Sequence, residues 1–347
     1  MIVVMALVLL LQAPVELKQR VDAGLKAKAA GDLNTAIREF QRVVELAPNL
    51  PAAYVNLGAV YFQKKDYGNA VQPLRKAVEL NPGLPGAKAM LGAALLAQGY
   101  AMESIPYLRA SQSDDLLGVA LLETGSERDA VDKLEAALLK RPDDPDLLYY
   151  LSRAHERLAK LVGGKLVSGQ PDSARAHQLL GEARAASGDP KAAERDFRAA
   201  LAIRADLRAV HFALGELYLS SGDYESAERE FREEARLAPG SAPAGFKLGV
   251  VLLNRGQVRE AIAELTRADS LHPDMVETLL ELAKAAAASG DLPAAETFLR
   301  RVITREPSST AAGTAHYQLA QIYRQLGRSA DAERETKLFQ QARKSRQ

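Results

Sequence analysis

The sequence predicts an all-α protein made of repeated helix pairs, and three regularities support this prediction. Small residues recur at an interval of 34 along most of the 347-residue chain. Between them, apolar residues recur every three or four positions, which is the period of an amphipathic helix. Glycine and proline then recur where the apolar segments stop, as they do at helix ends. A single helix pair of this size cannot bury its apolar face alone, so we expect neighbouring pairs to stack along the chain.

The repeat is marked first by a small residue inside each first helix. This set comprises Gly24, Gly58, Gly92, Gly118, Ser152, Gly181, Gly215, Gly249, Ala283 and Ala320. In most units a glycine follows seven residues later and permits the left-handed backbone that ends a helix. A proline closes most units and sets the turn into the next one. These markers place ten units near residues 17–50, 51–84, 85–110, 111–144, 145–173, 174–207, 208–241, 242–275, 276–309 and 313–342.

Two units depart from the pattern. The third is short, and its second helix is expected to have only about two turns, around Glu103 to Ala110. The fifth lacks the mid-unit glycine, so its two helices are expected to run together from about Asp146 to Val167. Because glycine in a helix interior costs about 1 kcal/mol, Gly163-Gly164 predicts a kink or break there and the weakest joint of the array.

This spacing resembles that of the tetratricopeptide repeat, a helix–turn–helix of 34 residues. The residues that carry the resemblance include Tyr54, Leu57, Gly58 and Tyr61 in a first helix, and Ala227, Phe231 and Pro239 in a second helix. The resemblance covers about residues 15–342 and is far more specific for fold than for function. It implies a right-handed α-solenoid of about ten units, in which the first helices line a concave groove that holds a partner peptide.

Three segments follow from these observations. Residues 1–13 form an apolar leader, residues 14–168 an N-terminal block of units one to five, and residues 169–347 a C-terminal block of units six to ten with a capping helix. The leader contains the run IVVMALVLLL, which has the length of a signal-peptide core and is too short for an ordinary transmembrane helix. No basic residue precedes the run, so an N-terminal cap or a membrane-surface anchor remain alternatives. The leader favours an exported protein, periplasmic or secreted, with a cytoplasmic location as the alternative.

The composition argues against several kinds of chemistry. The chain has no Cys and no Trp, its net charge is +1, and neither half is basic, so we expect neither thiolate chemistry nor nucleic-acid binding. No two of the five histidines lie within one helical turn, and Gly163-Gly164-Lys165 lacks the strand–loop–helix context of a phosphate loop. The repeats leave no room for a catalytic domain. We therefore expect no enzyme activity, cofactor, metal or small-molecule substrate, and membrane contact only through an uncleaved leader.

The expected binding surface is the groove-facing side of the first helices, near the Leu-Gly pair of each unit. Its predicted partner-binding residues are Val55, Phe62, Tyr149, Arg153, Gln178, Glu182, Phe212, Glu216, Phe246, Leu280, Lys284 and Tyr317. Some family members grip a terminal carboxylate with a Lys/Asn/Arg clamp, but only Asn56 fits that pattern in the first three units. Aromatic and aliphatic side chains among scattered charges suit a protein or peptide segment, although such aromatics also pack between units.

The sequence therefore predicts a protein–protein interaction scaffold, set in an envelope or secreted assembly. Two alternatives are a repeat subunit of an enzyme system, such as one for glycosyl transfer, and a cytosolic chaperone adaptor. The missing clamp weakens the second alternative. These functional expectations rest on analogy at the level of the fold.

Overall fold

A computed structural model of the chain describes residues 15–344. Nineteen α-helices occupy these residues, and no β-strand occurs among them, so the predicted all-α class is confirmed. The predicted leader, residues 1–13, lies outside the described residues.

The helices alternate between the first and second members of successive pairs. The first nine are α1 (Val15–Ala29), α2 (Leu33–Leu46), α3 (Pro51–Gln63), α4 (Tyr67–Leu80), α5 (Pro85–Ala97), α6 (Ala101–Ala110), α7 (Asp114–Glu123), α8 (Glu127–Leu138) and α9 (Pro145–Gly169). The other ten are α10 (Ala174–Ala186), α11 (Pro190–Ile203), α12 (Val210–Ser221), α13 (Tyr224–Leu237), α14 (Ala242–Asn254), α15 (Val258–Leu271), α16 (Val276–Ser289), α17 (Leu292–Arg305), α18 (Thr310–Gln325) and α19 (Ser329–Lys344). Apart from α9, each helix packs most extensively on the other member of its pair.

The turn inside each pair depends on a residue at the end of the first helix whose backbone takes the left-handed conformation. All eight glycines that the repeat places there have positive φ, between 72° and 86°. In the second unit Lys65 takes this conformation instead, with φ 60°. The next helix often begins with an Asp whose side chain accepts the first free N–H groups, as Asp32 does from Thr35 and Asp291 from Ala294. The turn is therefore specified at both of its ends.

The core of each pair forms where the small residue of the first helix meets a large side chain of the second. A Cβ on Gly58 would lie 2.5 Å from Cγ of Leu74, and one on Gly215 would lie 2.7 Å from the Phe231 ring. Leu74 and Phe231 are fully buried. Since real Cβ atoms do not approach so closely, glycine is what allows the two helices to cross at this distance.

The predictions for the two irregular repeat units, the third and the fifth, have different outcomes. The short second helix of the third unit is confirmed as α6, which has 10 residues. In the fifth unit α9 is one continuous helix of 25 residues, so the expected fusion of its two helices is confirmed. It contains both Gly163 and Gly164, so the expected break is wrong, while the alternative of a kink stays a prediction. A Cβ on Gly163 would lie 2.8 Å from Cδ2 of Leu179. The glycine gives that leucine room, which offsets part of its helical penalty of about 1 kcal/mol.

The chain divides into two compact units, one ending at Val162 and the other beginning at Gly163. The first contains α1 to α8 and most of α9, with buried residues such as Phe40, Leu91 and Leu134. The second contains α10 to α19, with Phe197, Phe231 and Tyr323 among its largest fully buried side chains. Each compact unit has its own hydrophobic core.

Candidate partner-binding face of the first helices

The first helices of neighbouring pairs contact one another directly. In the first compact unit α3 contacts α5 and α5 contacts α7, and in the second α10 contacts α12, α14 contacts α16 and α16 contacts α18. No two second helices of neighbouring pairs are in comparably extensive contact within residues 15–344. These first helices therefore lie side by side, so residues at matching repeat positions on them are neighbours.

Five of the predicted partner-binding residues are exposed. They are Tyr149, Arg153, Glu182, Lys284 and Tyr317. Tyr149 is 60% exposed and its ring meets that of Tyr150 edge-on, with centroids 5.3 Å apart. Tyr317 is 46% exposed, and its ring lies 5.5 Å from that of Phe339. Both tyrosines present much of an aromatic ring to solvent from an α-helix, which is the arrangement of an anchor residue at an interface.

The three predicted phenylalanines are half-buried and contribute to packing. The ring of Phe212 meets the core ring of Phe231 edge-on at 5.5 Å. Phe246 packs against a buried cluster that includes Leu265 and Leu282. The Phe62 ring lies 5.1 Å from that of Tyr67, the first residue of the following helix. These three side chains therefore contribute to the packing of the helix pairs, and their exposed parts belong to the face of the first helices.

Val55, Leu280, Gln178 and Glu216 are also half-buried. Leu280 packs against the core that includes Leu299 and Leu319. All four residues were predicted from the sequence to lie on the binding surface, and each is partly accessible to solvent.

The charged members of the set already have partners on the protein. Arg153 pairs with Glu156 at 2.6 Å, Gln178 donates to Glu182 at 2.8 Å, and Nζ of Lys284 lies 3.4 Å from Glu281. The Lys247 ammonium lies 2.9 Å from Glu216 of the preceding first helix. A partner that binds these groups must compete with exposed ion pairs, which are each worth only about 0–1 kcal/mol.

The polar contacts that hold neighbouring pairs in register were not predicted from the sequence. The Tyr218 hydroxyl donates to Glu194 at 2.8 Å and accepts a hydrogen bond from Arg198 at 2.8 Å. Burial, with the Glu194 hydrogen bond adding to it, raises the pKa of Tyr218 to about 12, so the phenol keeps the proton that it donates. The same three residue types recur three units later as Tyr323, Glu296 and Arg300. A Glu-x-x-x-Arg in a second helix followed by Tyr in the next first helix was the available signal.

Histidine forms a second unpredicted type of contact. His211 is buried, with Nδ1 2.8 Å from Glu230 and Nε2 3.1 Å from the carbonyl oxygen of Ala205. Burial opposes the charge on this imidazole, but the bond to Glu230 and the Ala205 carbonyl outweigh it and raise its pKa. Both ring nitrogens face acceptors, an arrangement that only the doubly protonated ring satisfies. His177 and His316, at the same repeat position as His211, are half-buried.

Among residues 15–344, no group of three or more acidic or histidine side chains is placed to hold a metal ion. None of the described helices is long and apolar enough to cross a membrane.

Comparison with protein families identifies the repeat. Models described as tetratricopeptide repeat match residues 51–84, 116–164, 184–248, 252–315 and 313–335, and one described as TPR repeat matches residues 24–65. The fold and these matches define the chain as a helical repeat protein. It belongs to the tetratricopeptide repeat (TPR) family.

Solved structures of several repeat proteins are similar to the chain. A crystal structure of MamA is 20% identical, with a TM-score of 0.47, and the match covers 48% of this chain and 96% of MamA. PilW, a widely conserved type IV pilus biogenesis factor, is 21% identical, with a TM-score of 0.42 and coverage of 49% and 78%. The Cut9-Hcn1 assembly of the APC/C is 13% identical, with a TM-score of 0.43 and coverage of 96% and 88%. A comparison with curated proteins found no match.

Family membership fixes the general kind of function. TPR proteins bind protein partners, and TPR scaffolds are generally non-catalytic. The chain is accordingly a protein–protein interaction scaffold.

Proposed function

We propose that the chain holds a segment of a partner protein against the face formed by its first helices, the groove of the family. One observation carries this proposal: first helices of neighbouring pairs contact each other in the runs α3 to α7, α10 to α12 and α14 to α18, and Lys247 of α14 reaches Glu216 of α12, so matching positions on these helices form a shared surface. Tyr317 lies on α18 of that surface, Tyr149 lies at the same repeat position on α9, and both are exposed. Exposed aromatic side chains on a rigid element are typical anchors of protein interfaces.

The setting we propose is an envelope or secreted assembly. The apolar run at residues 2–11, with the length of a signal-peptide core, supports export. N-terminal sequencing of the protein made in its own host would find a start after about Ala13. A chain that begins at Met1 in a cytoplasmic fraction would contradict export and would leave the binding proposal standing.

Site-specific photocrosslinking tests the binding face. A photoreactive phenylalanine analogue replaces Tyr149 or Tyr317 in the full chain, expressed in its own host. Tyr100 and Tyr224 are the matched controls, because they are 57% and 37% exposed but lie at the starts of second helices. We expect the first pair of positions to capture a defined partner segment and the control pair not to.

The captured segment is then synthesised, and its binding to the purified full chain is measured. Saturable binding that is weakened by Tyr149→Ala or Tyr317→Ala supports the proposal. Equal crosslinking from Tyr100 and Tyr224, or binding that is indifferent to both alanine substitutions, would show that the first-helix face is not the binding surface.

A further inference from the structure

Six side chains of α3 and α5 form an uncharged surface that the rest of the array does not repeat. They are Val55, Ala59, Phe62, Ala89, Ala93 and Leu96, which we call the apolar strip. They lie three residues before, one after and four after Gly58 and Gly92, so they share one face of each helix. Because α3 and α5 contact each other, the two faces adjoin, and all six side chains are half-buried.

Charge separates the apolar strip from the corresponding surface of the second compact unit. One residue after the small residue, where the strip has Ala59 and Ala93, the second unit has Glu182, Glu216 and Lys284, and its two uncharged residues at that position, Val250 and Gln321, are separated along the array by Lys284. A charged group docked on the strip would lose water without meeting an opposite charge, which is strongly unfavourable. Charge complementarity therefore requires that the partner's docked face be neutral.

The lack of hydrogen-bonding groups selects the partner's backbone conformation. None of the six side chains has a donor or an acceptor, and Asn56, which follows Val55 on α3, could pair with only a few backbone groups, so an extended peptide would leave most of its N–H and C=O groups over the strip unpaired. Each buried backbone group left unpaired would cost about 1–3 kcal/mol. An α-helix has already paired its interior backbone groups internally and has nothing to lose on such a surface.

The shape of the strip agrees with a docked helix. Three of its side chains are alanines, and Phe62 and Leu96 occupy the same repeat position on the two helices. The strip is therefore shallow where the alanines lie, and a larger apolar side chain stands at the same end of each helix. Large apolar side chains at helical spacing on a partner would fill the space above the alanines.

We propose that the apolar strip binds an α-helix of the partner protein through an uncharged face of large aliphatic or aromatic side chains. This inference rests on the proposed function, because it specifies which partner chemistry the first compact unit accepts. In the second compact unit no two neighbouring first helices are both uncharged at the matching position, so it is not the site of this contact.

Fluorescence titration of the purified full chain tests the inference. The probe is a synthetic peptide of about 18 residues, roughly 27 Å long as a helix, with leucines along one face, Gln and Lys elsewhere, and one Trp on the leucine face. The protein contains no Trp, so the emission reports only the peptide. A second peptide carries a central Pro, which breaks the helix. A third peptide carries two Glu residues on the leucine face.

We expect the leucine-faced peptide to bind with a blue shift, and the Pro and Glu peptides to bind at least about tenfold more weakly. Ala93→Glu should weaken binding of the first peptide by a similar factor. Ala110→Glu is the control, because Ala110 is exposed at the end of the second helix α6. The two peptide variants act on unaltered protein, so the test does not depend on how well Ala93→Glu folds.

Equal binding of the Pro or Glu peptide, indifference to Ala93→Glu in a folded variant, or no binding of the leucine-faced peptide would each overturn the inference. The proposed function is judged separately. Crosslinks from Tyr149 or Tyr317 to a partner segment that does not contact the strip would preserve the binding proposal while rejecting the neutral helix.

Discussion

At the residue scale, the small residue of each first helix sets how closely a helix pair can pack. Gly215 faces the buried Phe231 ring, and an added Cβ would lie 2.7 Å from that ring. The ring is stacked edge-on against Phe212 and cannot move away without disturbing it. Glycine at this position is thus a packing requirement, unlike the glycines of the turns, which satisfy a backbone requirement.

We therefore expect Gly215→Ala to destabilise the protein. Overpacking costs about 1–3 kcal/mol, which exceeds the roughly 0.5–1 kcal/mol that alanine gains over glycine in a helix. Urea unfolding followed by far-UV circular dichroism measures the change. Gly240→Ala is the control, since a Cβ added there would have no atom within 4 Å and the φ of Gly240 is not positive. An unchanged midpoint for Gly215→Ala would show that the helices can separate at little cost.

His211 makes one part of the stability depend on pH. Its folded pKa is raised above the usual 6.5, as burial is outweighed by Glu230 and the Ala205 carbonyl, with Glu233 also nearby. A raised pKa means that this contribution is complete below the unfolded pKa and is lost as pH rises through the folded pKa. The contact ties Ala205, in the segment between α11 and α12, to Glu230 of α13.

The prediction is a stability difference between wild type and His211→Gln that shrinks as pH rises from about 6 to about 8. Urea midpoints across this range give the difference directly. His155→Gln is the control, because the His155 side chain is 53% exposed and lies as far as 3.9 Å from Glu135. If the His211→Gln difference stayed constant with pH, the imidazole would not be charged in the folded protein.

At the scale of the element, α9 is the exception to the helix-pair rule. It is a single helix that crosses the boundary between Val162 and Gly163, where the two compact units meet in sequence. Leu161 and Val162 are 46% and 51% exposed, and a Cβ added to Gly164 would have no atom within 4 Å. Little side-chain packing therefore stabilises the helix near the glycine pair.

We expect limited proteolysis to cut first near residues 162–170, because local opening is favoured where a helix buries little apolar surface. Gly164→Ala should slow this cleavage and raise stability by about 0.5–1 kcal/mol, since it adds helix propensity without a clash. Gly163→Ala is the comparison, because its Cβ would meet Leu179 at 2.8 Å. Early cleavage elsewhere, with 162–170 protected, would contradict the proposed weak joint.

At the scale of the whole molecule, stability and binding are expected to depend on different residues of the same first helices. Leu214 is 1% exposed and lies in the core, whereas Phe212 and Phe246 are half-buried beside the surface. In a repeat array each pair contacts only its neighbours, so we expect a cavity to weaken one region and substitutions on the first-helix face to affect partner binding.

We expect Leu214→Ala to cost about 2–5 kcal/mol of stability through a buried cavity. The double variant Phe212→Ala and Phe246→Ala should weaken partner binding by a few kcal/mol and melt later than Leu214→Ala. Thermal melts beside binding of the crosslinked partner segment measure both effects. A double variant that melts as early as Leu214→Ala would place these rings in the core and remove them from the binding surface.

The two blocks proposed from the sequence, residues 14–168 and 169–347, belong to this same scale. If the α9 joint uncouples them, hydrogen exchange in Leu214→Ala will rise across residues 169–344 and stay unchanged across 15–168. A rise that spreads equally through both ranges would show that the array behaves as one cooperative unit.

The sequence by itself determined the helices and their pairing, because these depend on local signals. Periodic apolar residues define the faces, the glycine after seven residues ends the first helix, and the small residue marks the crossing with the second. The positive φ of Gly222 and the closeness of Gly58 to Leu74 follow from such signals. The long fused helix of the fifth unit was predictable for the same reason, since its mid-unit glycine is absent.

Only the tertiary structure decided which residues far apart in the sequence contact each other. Leu179 lies where a Cβ on Gly163 would be, and the ring of Phe231 packs edge-on against that of Phe212. The contacts of His211 with Glu230 and of Tyr218 with Glu194 join residues on different helices. Periodicity describes one helix at a time, whereas burial and charge pairing depend on the distance between helices, which is set by the packing of all their side chains together.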